Sequence, residues 1–112
     1  MAPLLDENMT LFDEIDVLLT APAEEREPYL ARVEDTLSVG YARALAIEAE
    51  RGRLAERLRE VAASLHGGDL HRGAVELSEL SRRVAQAEGD LGRLRGRLAT
   101  LRAHARQVRT AA

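Results

Sequence analysis

The chain has 112 residues, no cysteine, 3% aromatic residues and a formal net charge of −3. This length predicts a single domain, residues 1–112, and the missing cysteine excludes disulfides, thiolate nucleophiles and cysteine-ligated zinc. All sixteen basic residues are arginine, which with abundant Ala, Gly and Leu is typical of a GC-rich, bacterial genome. No apolar run approaches the ~20 residues of a membrane-spanning helix, and no signal peptide is recognisable, so a cytoplasmic protein is expected.

The first predicted element is a short amphipathic helix over residues 4–20. Its apolar residues recur at helical spacing, and the four expected to dock are Met9, Phe12, Ile15 and Leu19. Leu11, Val17 and Leu18 widen the same face. Because a helix of about 15 residues is marginal alone, this face is expected to dock. It would cover the helices that follow in the same chain, be exchanged between protomers, or bind another protein.

Two long helices are predicted next, over residues 22–66 and 70–109, with a turn at 67–69. Each carries apolar residues in alternating steps of three and four over many turns, which is the pattern of a coiled coil. The first stripe is Leu30, Val33, Leu37, Gly40, Ala44, Ile47, Arg51, Leu54, Leu58, Val61 and Leu65. The second is Leu77, Leu80, Val84, Ala87, Leu91, Leu94, Leu98, Leu101, Ala105 and Val108.

Capping residues set the expected helix ends. Thr20 is the expected N-cap of the first long helix, although Pro28 offers an alternative first turn. Gly67 or Gly68 is expected to supply the left-handed C-cap residue. Asp69 is then expected to cap the second long helix.

Charge is distributed unevenly, and the distribution predicts how the long helices pair. Residues 1–40 carry ten acidic residues and two arginines, whereas residues 71–112 carry nine arginines and four acidic residues. Folding about the turn brings these opposite charges together. The predicted fold is all-α, a long antiparallel helical hairpin (coiled coil) with a short N-terminal helix. Two such chains are expected to form a four-helix-type bundle.

A second stripe lies on the outer face of the last helix, opposite the apolar stripe. Its members share a small side chain or none, and they are Ala85, Gly89, Gly92, Gly96, Ala99 and Ala103. The preceding helix has a shorter counterpart, Ser38, Ala42, Leu45, Ala49 and Gly52, of which Ala42, Leu45 and Ala49 are assigned to the interaction face. Glycine in a helix interior costs roughly 1 kcal/mol relative to alanine. Such stripes let another helix approach closely, so these residues are the predicted interaction face.

The sequence does not predict catalytic or cofactor chemistry. His66, Asp69 and His71 share one turn and are competent metal ligands, but no fourth ligand is evident, so a polar exposed turn is expected and no metal site is predicted. The chain has no phosphate-binding glycine loop after a strand and no HExxH motif. We therefore expect a protein that is not an enzyme and has no cofactor.

The predicted function is a non-catalytic protein–protein interaction module: an adaptor, scaffold or assembly subunit, expected as a homodimer. One alternative is a small helical chaperone of a secretion or flagellar-export type that binds a client helix. The second alternative is nucleic-acid binding, because phosphates attract clustered arginines. The acidic total charge and the lack of interleaved aromatic residues count against it. The arginines concerned are Arg93, Arg95, Arg97, Arg102, Arg106 and Arg109.

Overall fold

Three α-helices make up the computed structural model, which describes residues 3–20, 25–65 and 69–111, with side chains from residue 10 onward. They are α1 (Pro3–Thr20), α2 (Arg26–Ser64) and α3 (Leu70–Thr110). Within those ranges there is no strand, and no helix is both long and apolar enough to cross a membrane. α2 packs against α3 as a hairpin, so the predicted all-α helical hairpin is confirmed.

The helix ends agree with the sequence in one case and differ in another. The backbone N–H of Arg72 donates to the Asp69 carboxylate at 3.1 Å, which confirms Asp69 as the N-cap of α3. The assignment of Thr20 as N-cap of the long helix was wrong. Thr20 is the last residue of α1, and its hydroxyl donates to the carbonyl of Asp16 at 2.8 Å. Gly67 and Gly68 lie outside the described residues.

The start of α2 shows why Pro28 is tolerated. α2 begins at Arg26, and the backbone N–H of Tyr29 makes the first helical bond, to the carbonyl of Glu25 at 3.1 Å. The predicted start at residue 22 lies outside the described residues. Pro28 therefore lies in the first turn, where a backbone N–H has no intrahelical acceptor. Its missing donor costs the helix nothing there.

The chain forms two compact units. One, the three-helix unit, comprises Met1–Ala44 and Arg93–Ala112, and the other, the two-helix unit, comprises Leu45–Gly92. The predicted apolar stripes face inward in both, since none of their residues is exposed. Steps of three and four keep such residues on one side of a helix, so burying them covers a continuous row.

The core of the three-helix unit combines residues of all three helices. Its largest fully buried side chains are Ile15, Leu18, Val33, Leu98 and Leu101. Gly40 of α2 lies against Leu98 of α3, and a Cβ atom added to Gly40 would overlap the Leu98 side chain. The missing side chain at Gly40 thus lets α2 and α3 pack closely at this point.

The core of the two-helix unit is thinner. Leu54 and Val61 of α2 and Leu80 of α3 are buried. Three further apolar side chains pack against them and stay partly exposed: Leu58, Leu77 and Val84. Two helices alone cannot enclose a row of leucines on every side, so this unit retains accessible apolar surface.

Candidate interaction surfaces

The apolar face of α1 is buried in the three-helix unit. Of the four residues predicted to dock, Ile15 is fully buried, Phe12 and Leu19 are half-buried, and the side chain of Met9 lies outside the described part. Leu11 and Leu18 are buried as well. The centre of the docked face is therefore Leu11, Ile15 and Leu18, a row in steps of four and three. Of these three, only Ile15 is among the residues that the sequence predicts to dock.

Two polar contacts tie α1 to its neighbours. The Arg97 guanidinium of α3 forms an ion pair with Asp16 and lies 5.8 Å from the centre of the Phe12 ring. The hydroxyl of Tyr29, at the start of α2, donates to the carbonyl of Leu18 at 2.5 Å. Burial raises the pKa of Tyr29 above its ordinary value of 10.0, and the positive charge of Arg32 partly offsets this effect.

Opposite charges meet at the ends of α2 and α3, as the charge distribution predicted. The Arg109 guanidinium of α3 bonds the Glu34 carboxylate of α2 at 2.8 Å. Arg26 donates to the backbone carbonyl of Arg109, in the last turn of α3. Since carbonyls in a last turn lack intrahelical donors, the first turns of α2 bond carbonyls near the C-termini of both neighbouring helices.

A shallow groove lies in the three-helix unit between α1 and the outer face of α3. Its volume is about 480 Å³ and its surface is mainly apolar. The residues lining it are Leu19, Ala99, Thr100, Ala103, His104 and Gln107. The ring of His104 meets the ring of Tyr29 edge to face, with 6.0 Å between centroids. Two members of the small-residue stripe thus form one wall of the groove.

The predicted interaction face is solvent-exposed in each unit. In the three-helix unit its exposed residues are Ala42, Gly96, Ala99 and Ala103; in the two-helix unit they are Leu45, Ala49, Ala85 and Gly92, with Gly89 half-buried. Leu45 is 67% exposed, the largest value among the exposed large hydrophobic side chains. All of these residues except Gly89 are therefore accessible to a partner, and their role in binding stays a prediction.

Five glycines of the long helices fall into two groups. A Cβ atom on Gly40 would overlap Leu98, and one on Gly73 would overlap Leu65. A Cβ atom on Gly52, Gly92 or Gly96 would meet nothing within 4 Å. Packing inside the chain explains the first group. It leaves the second group, whose members weaken their helices, without an intramolecular reason.

Ion pairs join the helices on one side of the two-helix unit. Arg57 bonds Glu76 at 3.1 Å, and Arg83 lies 3.8 Å from Glu50. The hydrogen bond that the Arg57 guanidinium donates to the Glu76 carboxylate raises the pKa of Arg57. Further along α3, the hydrogen bond from Arg82 lowers the pKa of Glu79. These groups are exposed, so their value lies in orienting the helices more than in stability.

The arginine cluster of α3 is largely engaged within the chain. Arg97 bonds Asp16 and Arg109 bonds Glu34, while Arg93 and Arg95 also take part in intramolecular interactions. The carboxylates of Asp16 and Glu34 thus offset the positive charge of two of the six arginines. Within the described residues, no group of three or more His, Asp or Glu side chains is placed to hold a metal ion.

Comparison of the chain with protein-family models, with curated proteins and with solved structures gave no significant match.

Proposed function

We propose that the protein is a cytoplasmic, non-catalytic protein–protein interaction module, an adaptor, scaffold or assembly subunit. It self-associates as a homodimer, and its contacts run through the small-residue stripe of α3. The observation that supports this most directly is the second group of glycines. Gly92 and Gly96 are exposed, and a Cβ atom on either would meet nothing within 4 Å.

Energetics favour an intermolecular use for these positions. Each glycine costs its helix roughly 1 kcal/mol relative to alanine, and an isolated exposed helix recovers none of this cost. A helix packed on a stripe of glycine and alanine recovers it through close van der Waals contact. The exposed Leu45 of α2 adds apolar area that a partner would remove from water.

The test is the mass in solution, by light scattering, of wild type and of Gly92→Leu. We expect a dimer that dissociates on substitution, because the leucine side chain occupies the space of the partner helix. Gln86→Leu, also exposed on α3 but outside the stripe, is the matched control and should stay dimeric. A dimer that withstands Gly92→Leu would reject the stripe as the interface.

One observation favours the chaperone alternative as second candidate. The groove beside Leu19 and Ala103 is open and mainly apolar, as a site for a client helix would be. A monomeric wild type would make this candidate the leading one, because the stripe and the groove would then both be available to bind a different protein. A client that binds only the folded state should also raise the midpoint of thermal unfolding.

A further inference from the structure

The groove between α1 and α3 in the three-helix unit is bounded by two edges. One edge is the side of α1 that bonds α3, where Asp16 meets Arg97 and Leu19 lines the groove beside Ala103. Because residue numbers increase together along these contacts, α1 and α3 run in the same direction. The other edge is the side of α3 that lies beyond Ala99 and Ala103, away from α1.

The α1 edge of the groove is acidic. Asp13, Asp16 and Thr20 follow one another in steps of three and four, so they lie on the side of α1 that bonds α3. We call Asp13 and Asp16 the acidic edge. Arg97 pairs with Asp16, whereas Asp13 is exposed and has no ion pair or hydrogen bond with another described residue. One carboxylate of this edge is thus available to a partner.

The α3 edge of the groove is basic. Arg95, Arg102 and Arg106 follow one another in steps of seven and four, and we call them the basic edge. Arg102 comes five residues after Arg97, which is a rotation of about 140° around the helix, so it lies away from α1. Arg95 interacts within its own chain. Arg102 and Arg106 are exposed and form no ion pair or hydrogen bond in the part of the chain that the structure describes.

The acidic residues of α2 do not neutralise Arg102 or Arg106. Those in the three-helix unit are Glu27, Glu34 and Asp35. Glu34 bonds Arg109 at 2.8 Å, and neither Glu27 nor Asp35 forms an ion pair with a described residue. The groove therefore has unpaired charges of opposite sign along its two edges.

This charge distribution is complementary to itself under one symmetry only. A two-fold axis parallel to α3 places the acidic edge of each copy against the basic edge of the other. A two-fold axis perpendicular to α3 pairs each edge with its own kind, so that like charges meet. We propose that α3 of a second copy of this chain occupies the groove, in a parallel dimer. The inference rests on the proposed function, because it gives the orientation of a dimer that uses the same small-residue stripe.

The surface of the groove fits a second helix. Ala99 and Ala103 form its α3 wall, and a Cβ atom added to Gly96 would meet nothing within 4 Å, so a helix backbone can approach closely. The hydroxyl of Thr100 already donates to the carbonyl of Gly96 at 3.0 Å. Burying this hydroxyl therefore leaves no donor unsatisfied. Leu19 on the opposite wall adds apolar area that the partner helix removes from water.

Single cysteines test the orientation directly, because the chain has none of its own. In the parallel dimer each stripe residue faces its own counterpart, so we expect Gly96→Cys and Ala103→Cys each to form an intermolecular disulfide on oxidation. These positions are about 10 Å apart along α3. A disulfide spans at most about 7 Å between Cα atoms, so an antiparallel dimer cannot cross-link at both. Electrophoresis without reductant measures the yield. Val39→Cys, at an exposed residue of α2, should stay uncross-linked.

Charge reversal tests the two edges on the full-length chain. We expect Asp13→Arg and Arg102→Glu each to raise the Kd of the dimer about tenfold, since each change acts at two symmetric contacts. The double variant restores opposite charges and should return the Kd to within a few-fold of wild type. Light scattering over a concentration series measures these values, with circular dichroism as the check on folding.

Glu14→Arg is the matched control. Glu14 is also exposed on α1 and has no ion pair with a described residue. It lies two residues from Asp16, which places it about 160° away around the helix and therefore off the acidic edge. Its reversal changes the net charge as much as Asp13→Arg does and should leave the Kd unchanged.

The outcomes separate this inference from the proposed function. A dimer that Gly92→Leu dissociates, but that does not cross-link through both cysteines, supports the stripe as interface and overturns the parallel pairing. Charge reversals without effect, or without recovery in the double variant, overturn the contact between the edges. A monomeric wild type overturns the inference and leaves an interaction module that binds a different protein.

Discussion

Tyr29 caps the end of α1: its hydroxyl donates to the carbonyl of Leu18, in the last turn of that helix, at 2.5 Å. The carbonyls of a last turn have no donor within their own helix. Leu18 is also buried, so water does not readily replace the phenol. One hydrogen bond therefore satisfies the end of α1 and fixes it to the start of α2.

Removing this hydroxyl should destabilise the chain. We expect Tyr29→Phe to lower the free energy of unfolding by about 1 kcal/mol, because the ring stays and the carbonyl of Leu18 loses its donor. Urea unfolding followed by circular dichroism measures the change. Tyr41→Phe, at an exposed tyrosine, is the control and should have little effect. An equal loss in both variants would contradict the capping role.

Alkaline pH should weaken the same contact. Burial raises the pKa of Tyr29 above 10.0, so the folded state holds the phenol proton more tightly than the unfolded state. The resulting stability is fully present below a pH of about 10, the unfolded pKa, and is lost as the pH rises through the raised folded pKa. Wild type should lose more stability than Tyr29→Phe above this pH. Parallel alkaline profiles of the two proteins would refute the assignment.

Two glycines should respond in opposite directions to the same substitution. Gly40→Ala forces a methyl group into Leu98, and we expect a loss of about 1–3 kcal/mol from overpacking. Gly96→Ala meets nothing within 4 Å and should stabilise the monomer by roughly 0.5–1 kcal/mol through better helix propensity. Thermal unfolding of both variants checks the pair. If both variants changed stability in the same direction, the contact of the added methyl group would not determine the effect.

Arg97 should contribute to the docking of α1. Arg97→Ala removes the ion pair with Asp16 and the cation–π contact with Phe12, with an expected cost of about 1 kcal/mol. Hydrogen exchange of α1 amides should accelerate most. Arg53→Ala, at an exposed arginine of α2, serves as control. If both variants left α1 equally protected, the docking would depend on apolar contacts alone.

The N-cap of α3 should be sensitive to the loss of one oxygen. Asp69→Ala removes the acceptor of the Arg72 N–H and should cost about 0.5–2 kcal/mol, whereas Asp69→Asn keeps a capping oxygen and should cost less. Chemical denaturation of the three proteins ranks them. The prediction fails if alanine and asparagine behave alike.

Local patterns explain how far the sequence analysis reached. The apolar stripes repeat over many turns, so each residue is supported by its neighbours, and none of the stripe residues is exposed. Asp69 could be predicted as the N-cap of α3 because an N-cap depends only on a side chain and the backbone N–H groups within three residues of it. The side of α1 that docks was harder to assign, because Leu11, Phe12, Ile15, Leu18 and Leu19 allow two overlapping rows. The burial of Leu11 and Leu18 shows which row lies at the centre.

Contacts between side chains that are far apart in the chain could not be predicted from the sequence, for a different reason. The contact of Arg97 with Asp16 spans 81 residues and depends on the direction in which α1 crosses α3. Any of several arginines on α3 has the same local surroundings. The distinction between Gly40 and Gly96 is similar, since only the neighbouring helix separates a closely packed glycine from an open one.

The fit of Leu98 against Gly40 also bears on how α2 and α3 find their alignment. In a hairpin of leucines alone, sliding one helix by seven residues exchanges one leucine for another at little cost. Here the same slip would bring Leu98 from a residue without a Cβ atom to Val33, which is already fully buried. The missing side chain at Gly40 therefore favours one register of α2 against α3 in the three-helix unit. Other registers would be less stable because Leu98 would meet a larger side chain.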